Sequence, residues 1–294
     1  MSFLQKFREK NSRAFQIFTA TQFKEVWDHF DSDGNGYIEQ AELDSFLKDF
    51  IASGVHSEAC VSEAGLELLK EEILLAFDDN EDGRIEAGEL VQILPVEEQF
   101  LYLFQRERPL PSSAEFMRIW KKFDSDHSGF IEANELRDFL NDLLPNESAD
   151  RLDYYVKTML ELFDSNKDGK LQLSEMARLL PVKSNFLSQP LFRRASSISE
   201  WQVEKILKTF DTEGKGKMSS DELDAFIKDL LDLTREEYDV SKVESLKKKI
   251  FLQWDTNQDG FIDLDELRQL FKQQRKLCEI QTKSDIICVK LETE

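Results

Sequence analysis

A twelve-residue motif that occurs six times constrains this chain more than any other feature. The runs are DSDGNGYIEQAE (Asp31 to Glu42), DDNEDGRIEAGE (Asp78 to Glu89) and DSDHSGFIEANE (Asp124 to Glu135). They continue as DSNKDGKLQLSE (Asp164 to Glu175), DTEGKGKMSSDE (Asp211 to Glu222) and DTNQDGFIDLDE (Asp255 to Glu266). Each opens on aspartate, turns at a glycine in position 6, carries an apolar residue at position 8 and closes on glutamate at position 12. Acidic turns that merely cap helices do not repeat at this spacing.

The spacing fits a hard cation. Ca²⁺ takes about six to eight oxygens, and a tight loop supplies them from positions 1, 3, 5, 7, 9 and 12. Positions 1, 3 and 5 need short oxygen-bearing side chains because the backbone curls close to the ion there. Glycine at position 6 takes the positive φ of the sharp turn without a Cβ clash. Position 7 gives its carbonyl, position 9 reaches the ion through water, and the longer glutamate at position 12 binds through both oxygens. The runs therefore read as EF-hand loops.

Five loops satisfy every position. The first offers Asp31, Asp33, Asn35, the carbonyl of Tyr37, Glu39 and Glu42. The second offers Asp78, Asn80, Asp82, the carbonyl of Arg84, Glu86 and Glu89. The third offers Asp124, Asp126, Ser128, the carbonyl of Phe130, Glu132 and Glu135. The fourth offers Asp164, Asn166, Asp168, the carbonyl of Lys170, Gln172 and Glu175. The sixth offers Asp255, Asn257, Asp259, the carbonyl of Phe261, Asp263 and Glu266. The fifth departs from the pattern. Its six positions are Asp211, Glu213, Lys215, Lys217, Ser219 and Glu222. Lys215 puts an ammonium where an oxygen is needed, and Glu213 is one methylene too long for the tight curve. Weak or no binding is expected there, with the loop kept as a structural partner. The expected load is about five Ca²⁺ ions, with Mg²⁺ as a candidate competitor.

Apolar residues at helical spacing enter the loops: Phe23, Val26, Trp27 and Phe30 before the first, Phe116, Ile119, Trp120 and Phe123 before the third. One hand cannot bury such a stripe alone, so hands are expected to pair, joining loops through a short antiparallel contact at position 8. The segments that leave the loops show a second-order repeat. Those leaving the second and fourth hands stop at Pro95 and Pro181, in the similar texts LPVEEQFL and LPVKSNFL. The expected fold is all-α: six EF-hand helix-loop-helix motifs in three pairs, with short antiparallel β contacts between paired loops. The expected organisation is an N-terminal extension (1–18), pair one (19–105), pair two (113–183), pair three (198–274) and a C-terminal tail (275–294). The apolar patches Phe100 to Phe104 and Phe186–Leu187 are expected to pack pairs together rather than dock a partner.

The balance of 59 acidic and 38 basic residues, a formal charge of −21, argues against nucleic-acid binding, which needs a basic footprint. Crowded carboxylates repel one another until divalent cations neutralise them. Cys60, Cys278 and Cys288 form no disulfide framework and point to a reducing compartment, the cytosol, with the nucleus as a candidate further location. No apolar run approaches membrane-spanning length, the N-terminus lacks a signal-peptide h-region, and Ser2 replaces the glycine that myristoylation needs. His29, His56 and His127 are scattered and form no catalytic arrangement, so no enzyme is expected. RRAS (Arg193 to Ser196) matches a basophilic kinase site, a match common by chance. The N-terminal Lys6, Arg8, Lys10 and Arg13 beside Phe3, Leu4 and Phe7 suit either a lipid-touching helix or, the preferred reading, an arm that is disordered or packed on pair one.

Six hands paired in this way resemble the calbindin, calretinin and secretagogin family. The resemblance extends to EFMRIWKKFDSDHSGFIEANEL (115–136), to LELFDSNKDGKLQLSEMARLLPV (160–182) and to the text after Pro95. It covers residues 20–275 and implies an all-helical, cytosolic calcium-binding protein that buffers rapidly and shows some sensor behaviour toward protein targets. The chain departs from the family's usual pattern in its intact second and sixth loops and damaged fifth, in a longer N-terminal extension and in a tail that runs past Gln274. A buffer is the leading expectation. The rival is a sensor or adaptor whose pairs open to show an apolar groove. Such grooves favour methionine, and five methionines against 23 phenylalanines favour fixed cores. A monomer is expected.

Overall fold

The computed structural model describes residues 2–9, 14–54, 63–78, 83–104, 110–180, 182, 187, 199–233 and 237–278. These residues are mostly helical. Asn80, Asp82, His56, Cys60, Lys10, Arg13, Phe186, Ser196, Cys288 and the tail beyond residue 278 lie outside them.

Helices enter and leave the loops in order. The first hand is α1 (Ala20–Phe30) and α2 (Gln40–Gly54); the second is α3 (Glu63–Phe77) and α4 (Ala87–Ile93), followed by α5 (Glu98–Phe104). The third is α6 (Ser113–Phe123) and α7 (Ala133–Leu143); the fourth is α8 (Ala149–Phe163) and α9 (Leu173–Leu179). The fifth is α10 (Glu200–Phe210) and α11 (Ser220–Asp232); the sixth is α12 (Val240–Trp254) and α13 (Leu264–Cys278).

Local sequence explains where these helices begin. Thr19 caps α1 and Ser199 caps α10, each in a reciprocal box with a glutamine three residues on, Gln22 and Gln202. The helices leaving the loops start inside the motif itself. Glu86, Glu132 and Ser219 at position 9 are N-caps, and Glu89, Glu135 and Glu222 at position 12 close the box on them. The glutamate read from sequence as an ion ligand is thus also the third residue of the exit helix.

The loops pair through position 8 as the sequence predicts. Ile38 bridges Ile85, and Ile131 bridges Leu171, both antiparallel. In the third pair, β1 (Lys217–Met218) runs antiparallel to β2 (Ile262–Asp263) with Met218 opposite Ile262. Ile38, Ile131, Leu171, Met218 and Ile262 are fully buried, and Ile85 nearly so.

The chain divides into two compact units. One comprises residues 1–109, 131–171 and 178–181; the other comprises 110–130, 172–177 and 182–294. In the first unit Phe100 of α5 is fully buried, its ring centroid 5.4 Å from Phe23 of α1 and 6.3 Å from Tyr155 of α8. Phe100 and Leu103 of this patch are therefore packing surface. The N-terminal arm belongs to the same core. Leu4 and Phe7 are buried in a 3-10 turn (Leu4–Phe7), and Asp49 of α2 accepts the Phe3 and Leu4 amides at 3.1 and 2.8 Å. The apolar face that a lipid-touching helix would need is spent inside the protein. In the second unit the Phe210 and Phe226 rings meet edge-on at 5.4 Å, as Phe30 and Phe46 do at 5.2 Å in the first. Among the described residues no helix is long and apolar enough to cross a membrane.

Candidate metal centres

The first loop has its ligand residues in place. The Asp31 amide ends α1 by donating to the Trp27 carbonyl, and the Asp31 Oδ2 accepts the Gly36 amide at 3.1 Å across the turn, where Gly36 has φ +82°. Asp33 accepts the Asn35 amide at 3.0 Å, and the Asn35 Oδ1 accepts the Tyr37 amide at 2.9 Å. Glu42 reaches back from α2 and accepts the Ser32 amide and hydroxyl at 2.8 and 2.7 Å. Oxygens of Asp31, Asp33 and Glu42 come within 4.8 Å of one another. Two of the loop's oxygens, Asp31 Oδ1 and Glu42 Oε2, are buried with no hydrogen-bond partner. A buried carboxylate oxygen without a donor is costly, and a cation removes that cost. The Asp31 carboxyl is pushed up to about 6, by burial first and then by the negative charges of Glu42 and Asp33, against the opposing Gly36 and Gly34 amides.

The other loops repeat the turn. The glycine at position 6 donates to the aspartate at position 1 in each: Gly83 to Asp78 at 2.8 Å, Gly129 to Asp124 at 3.2 Å, Gly169 to Asp164 at 2.8 Å and Gly260 to Asp255 at 3.0 Å. Position 12 is anchored by position 9, with the Glu86, Glu132, Gln172 and Asp263 amides donating to Glu89, Glu135, Glu175 and Glu266. Ser128 donates its amide to Asp126, and Asp168 takes the Lys170 amide after donating its own to Asn166. Asn257 accepts the Asp259 amide, and Asp259 in turn accepts that of Phe261.

The fifth loop keeps the frame and changes the filling. Gly216 donates to Asp211 at 2.6 Å with φ +76°, and Glu222 accepts the Thr212 and Ser219 amides. Burial pushes the Glu222 carboxyl up, but the donors from Ser219 and Thr212 together outweigh it and hold the carboxyl below its ordinary value. Positions 3 and 5 are an ion pair, with the Lys215 ammonium on the Glu213 carboxylate. That pair points the position-5 side chain at its neighbour as a donor.

Sequence reasoning missed a set of cations that cross between paired loops. The Arg84 guanidinium lies 4.0 Å from the Tyr37 ring centroid, and its Nε is 3.7 Å from Glu39. Lys170 reaches Glu132 at 2.8 Å, and Lys217 reaches Asp259 at 2.9 Å. All three cations sit at position 7, a position that the ligand logic leaves free in side-chain type. The signal was present in the sequence: each pair carries one basic and one aromatic residue at position 7, Arg84 with Tyr37, Lys170 with Phe130 and Lys217 with Phe261.

Comparison with known proteins agrees with this geometry. A family model for the EF-hand domain pair matches residues 20–94 and 113–180, and one for the EF-hand domain matches 247–277. Fold, loops and matches define an EF-hand calcium-binding protein. The chain is 44% identical to calbindin-32 of Drosophila melanogaster over 280 residues, which cover 92% of this chain and 90% of the relative. It is 44% identical to calretinin of Bos taurus over 236 residues (79% of this chain, 85% of the relative). It is 37% identical to secretagogin of Danio rerio over 260 residues (86% and 95%). The chain belongs to the calbindin, calretinin and secretagogin family.

Proposed function

We propose that this protein is a calcium buffer that loads about five ions, one in each of loops one, two, three, four and six, with Mg²⁺ as competitor. The ligands are those at positions 1, 3, 5, 7, 9 and 12 of each loop, with Asp31, Asp33, Asn35, Tyr37, Glu39 and Glu42 as the first set. The observation that carries the reading is the pair of buried, partnerless oxygens, Asp31 Oδ1 and Glu42 Oε2, on two residues that with Asp33 bring carboxylate oxygens within 4.8 Å of one another. A bound divalent ion supplies two positive charges to that cluster. The chain's part is to hold the oxygens in a tight loop: the glycine amide fixes the first aspartate, and the exit helix brings position 12. The fifth loop serves as the β partner of the sixth, because Lys215 and Glu213 neutralise each other. The working units are the three loop pairs, in residues 19–105, 113–183 and 198–274, in a monomer of the cytosol.

Calorimetric titration of the full chain and of single position-12 Glu→Gln variants tests this. Glu42→Gln, Glu89→Gln, Glu135→Gln, Glu175→Gln and Glu266→Gln should each remove about one ion, and Glu222→Gln none. Fewer than four ions in the parent protein would end the buffer reading.

A sensor role toward protein targets is the second reading. One observation favours it: Leu68 and Leu75, seven residues apart on α3, are 62% and 90% exposed. A hydrophobic-dye response that rises on adding Ca²⁺ would support it, and an unchanged response would leave buffering alone.

A further inference from the structure

The side chain of Arg178 ties the first loop to the entry of the fourth. It lies in the last turn of α9, three residues past Glu175. Its Nη2 turns back to donate to the Phe163 carbonyl at 3.2 Å and to the Ser165 hydroxyl at 2.6 Å. Those two residues bracket Asp164, the first position of the fourth loop. The other arm of the fork, Nη1, donates to the main-chain carbonyl of Asn35 at 3.1 Å. Asn35 is position 5 of the first loop. The fit is close: a Cβ placed on Gly36 would stand 2.2 Å from Nη1 and 3.1 Å from Cζ. All three acceptors are neutral, and among the described residues no carboxylate pairs with Arg178.

A surface arginine in a chain with 59 acids ordinarily finds a carboxylate. This one is instead held by two backbone carbonyls and a hydroxyl from two loops. The planar guanidinium fixes the directions of all three bonds at once, which an ammonium on a flexible stem does not. A hydrogen bond from a charged donor is also stronger than a neutral one. Closing a loop around an ion fixes the backbone at positions 5 and 6. In the first loop that is the carbonyl Arg178 holds; in the fourth, the arginine holds the residues on either side of position 1. Ordering one loop therefore pre-orders a contact of the other, and the second ion meets less entropic resistance.

We propose that Arg178 is a positioning residue that couples ion binding in the first and fourth loops, across two hand pairs, with positive cooperativity. This rests on the reading that both loops bind Ca²⁺. Coupling of this kind is reciprocal: whatever the fourth loop does to the first, the first does to the fourth by the same factor.

The test is a Ca²⁺ titration of the full chain followed by ¹⁵N–¹H NMR. The Gly36 and Gly169 amides report the two loops separately, since they donate to Asp31 and Asp164. With Arg178 present, Glu175→Gln should weaken the Gly36 transition about fivefold, and Glu42→Gln should weaken the Gly169 transition by the same factor. In an Arg178→Met background both effects should vanish. Arg178→Lys, which keeps the charge and loses the fork, should also abolish them, and helical circular dichroism checks that each variant is folded. An unchanged Gly36 transition in Glu175→Gln, or an equal change with and without Arg178, would overturn the coupling. If neither amide moved in the parent protein, the ion assignment of those loops would fall first and the coupling with it.

Discussion

The Lys217 ammonium of the fifth loop lies 2.9 Å from Oδ2 of Asp259, the fifth position of the sixth loop, and 3.8 Å from the centroid of Phe261. The hydrogen bond from Lys217 holds the Asp259 carboxyl below its ordinary value, against a smaller opposing effect of desolvation. The fifth loop therefore places a cation on the carboxylate at position 5 of its neighbour. Lys217→Met should raise the Ca²⁺ affinity of the sixth loop about two- to threefold at low salt, as expected for an exposed ion pair. The gain should shrink as salt is added. Calorimetry on variants in which only the sixth loop is intact measures it; a lowered affinity would contradict the competition.

Asp31 gives the first loop a pH dependence. Its carboxyl is pushed up to about 6, mainly by burial and then by Glu42 and Asp33. Protons and Ca²⁺ compete for the same oxygens, so first-loop affinity should fall about tenfold between pH 7 and pH 5. Without divalent ions the sign for folding is the opposite. The folded chain holds this proton more tightly than the unfolded chain, so this carboxyl's stabilising contribution is lost as pH rises through about 6. Side-chain NMR of Asp31 in the presence of a chelator checks the midpoint, and an ordinary aspartate value would refute both statements.

Glu222 is built into the frame of the fifth loop. It is 5% exposed and accepts donors from Thr212, Glu213 and Ser219. Glu222→Gln replaces one acceptor oxygen by a donor, leaving amides without partners, and should cost about 1–3 kcal/mol. Urea unfolding with and without Ca²⁺ should show that loss at both extremes, with the ion count unchanged.

Phe100→Ala should destabilise the first unit by about 3–5 kcal/mol, because the ring is fully buried between Phe23 and Tyr155. Thermal unfolding at saturating Ca²⁺ would measure it. A loss below 1 kcal/mol would mean that the patch is not part of the core.

The loops were legible in sequence because their chemistry is local. A twelve-residue span contains the amide donors and carboxylate acceptors that make its turn, and the apolar residue at position 8 announces its β partner. Paired hands followed from the same logic, since Ile38 meets Ile85 and Met218 meets Ile262 across two hands. The cross-loop cations were half visible, as basic residues opposite aromatic ones. Arg178 was invisible. Its partner Asn35 is 143 residues away, and nothing in either local stretch says that they meet. The N-terminal arm was ambiguous for a related reason: Leu4 and Phe7 make an apolar face, but only the Asp49 carboxylate on α2 decides what covers it.

That arm grips both helices of the first hand. The Phe3 ring stacks on His29 of α1 at 3.7 Å, while Asp49 and Ser53 of α2 hold the Leu4 amide and the Arg8 guanidinium. A strut across the mouth of a hinge fixes its angle. The first hand therefore has its two helices joined at a second place, outside the loop that would hold an ion.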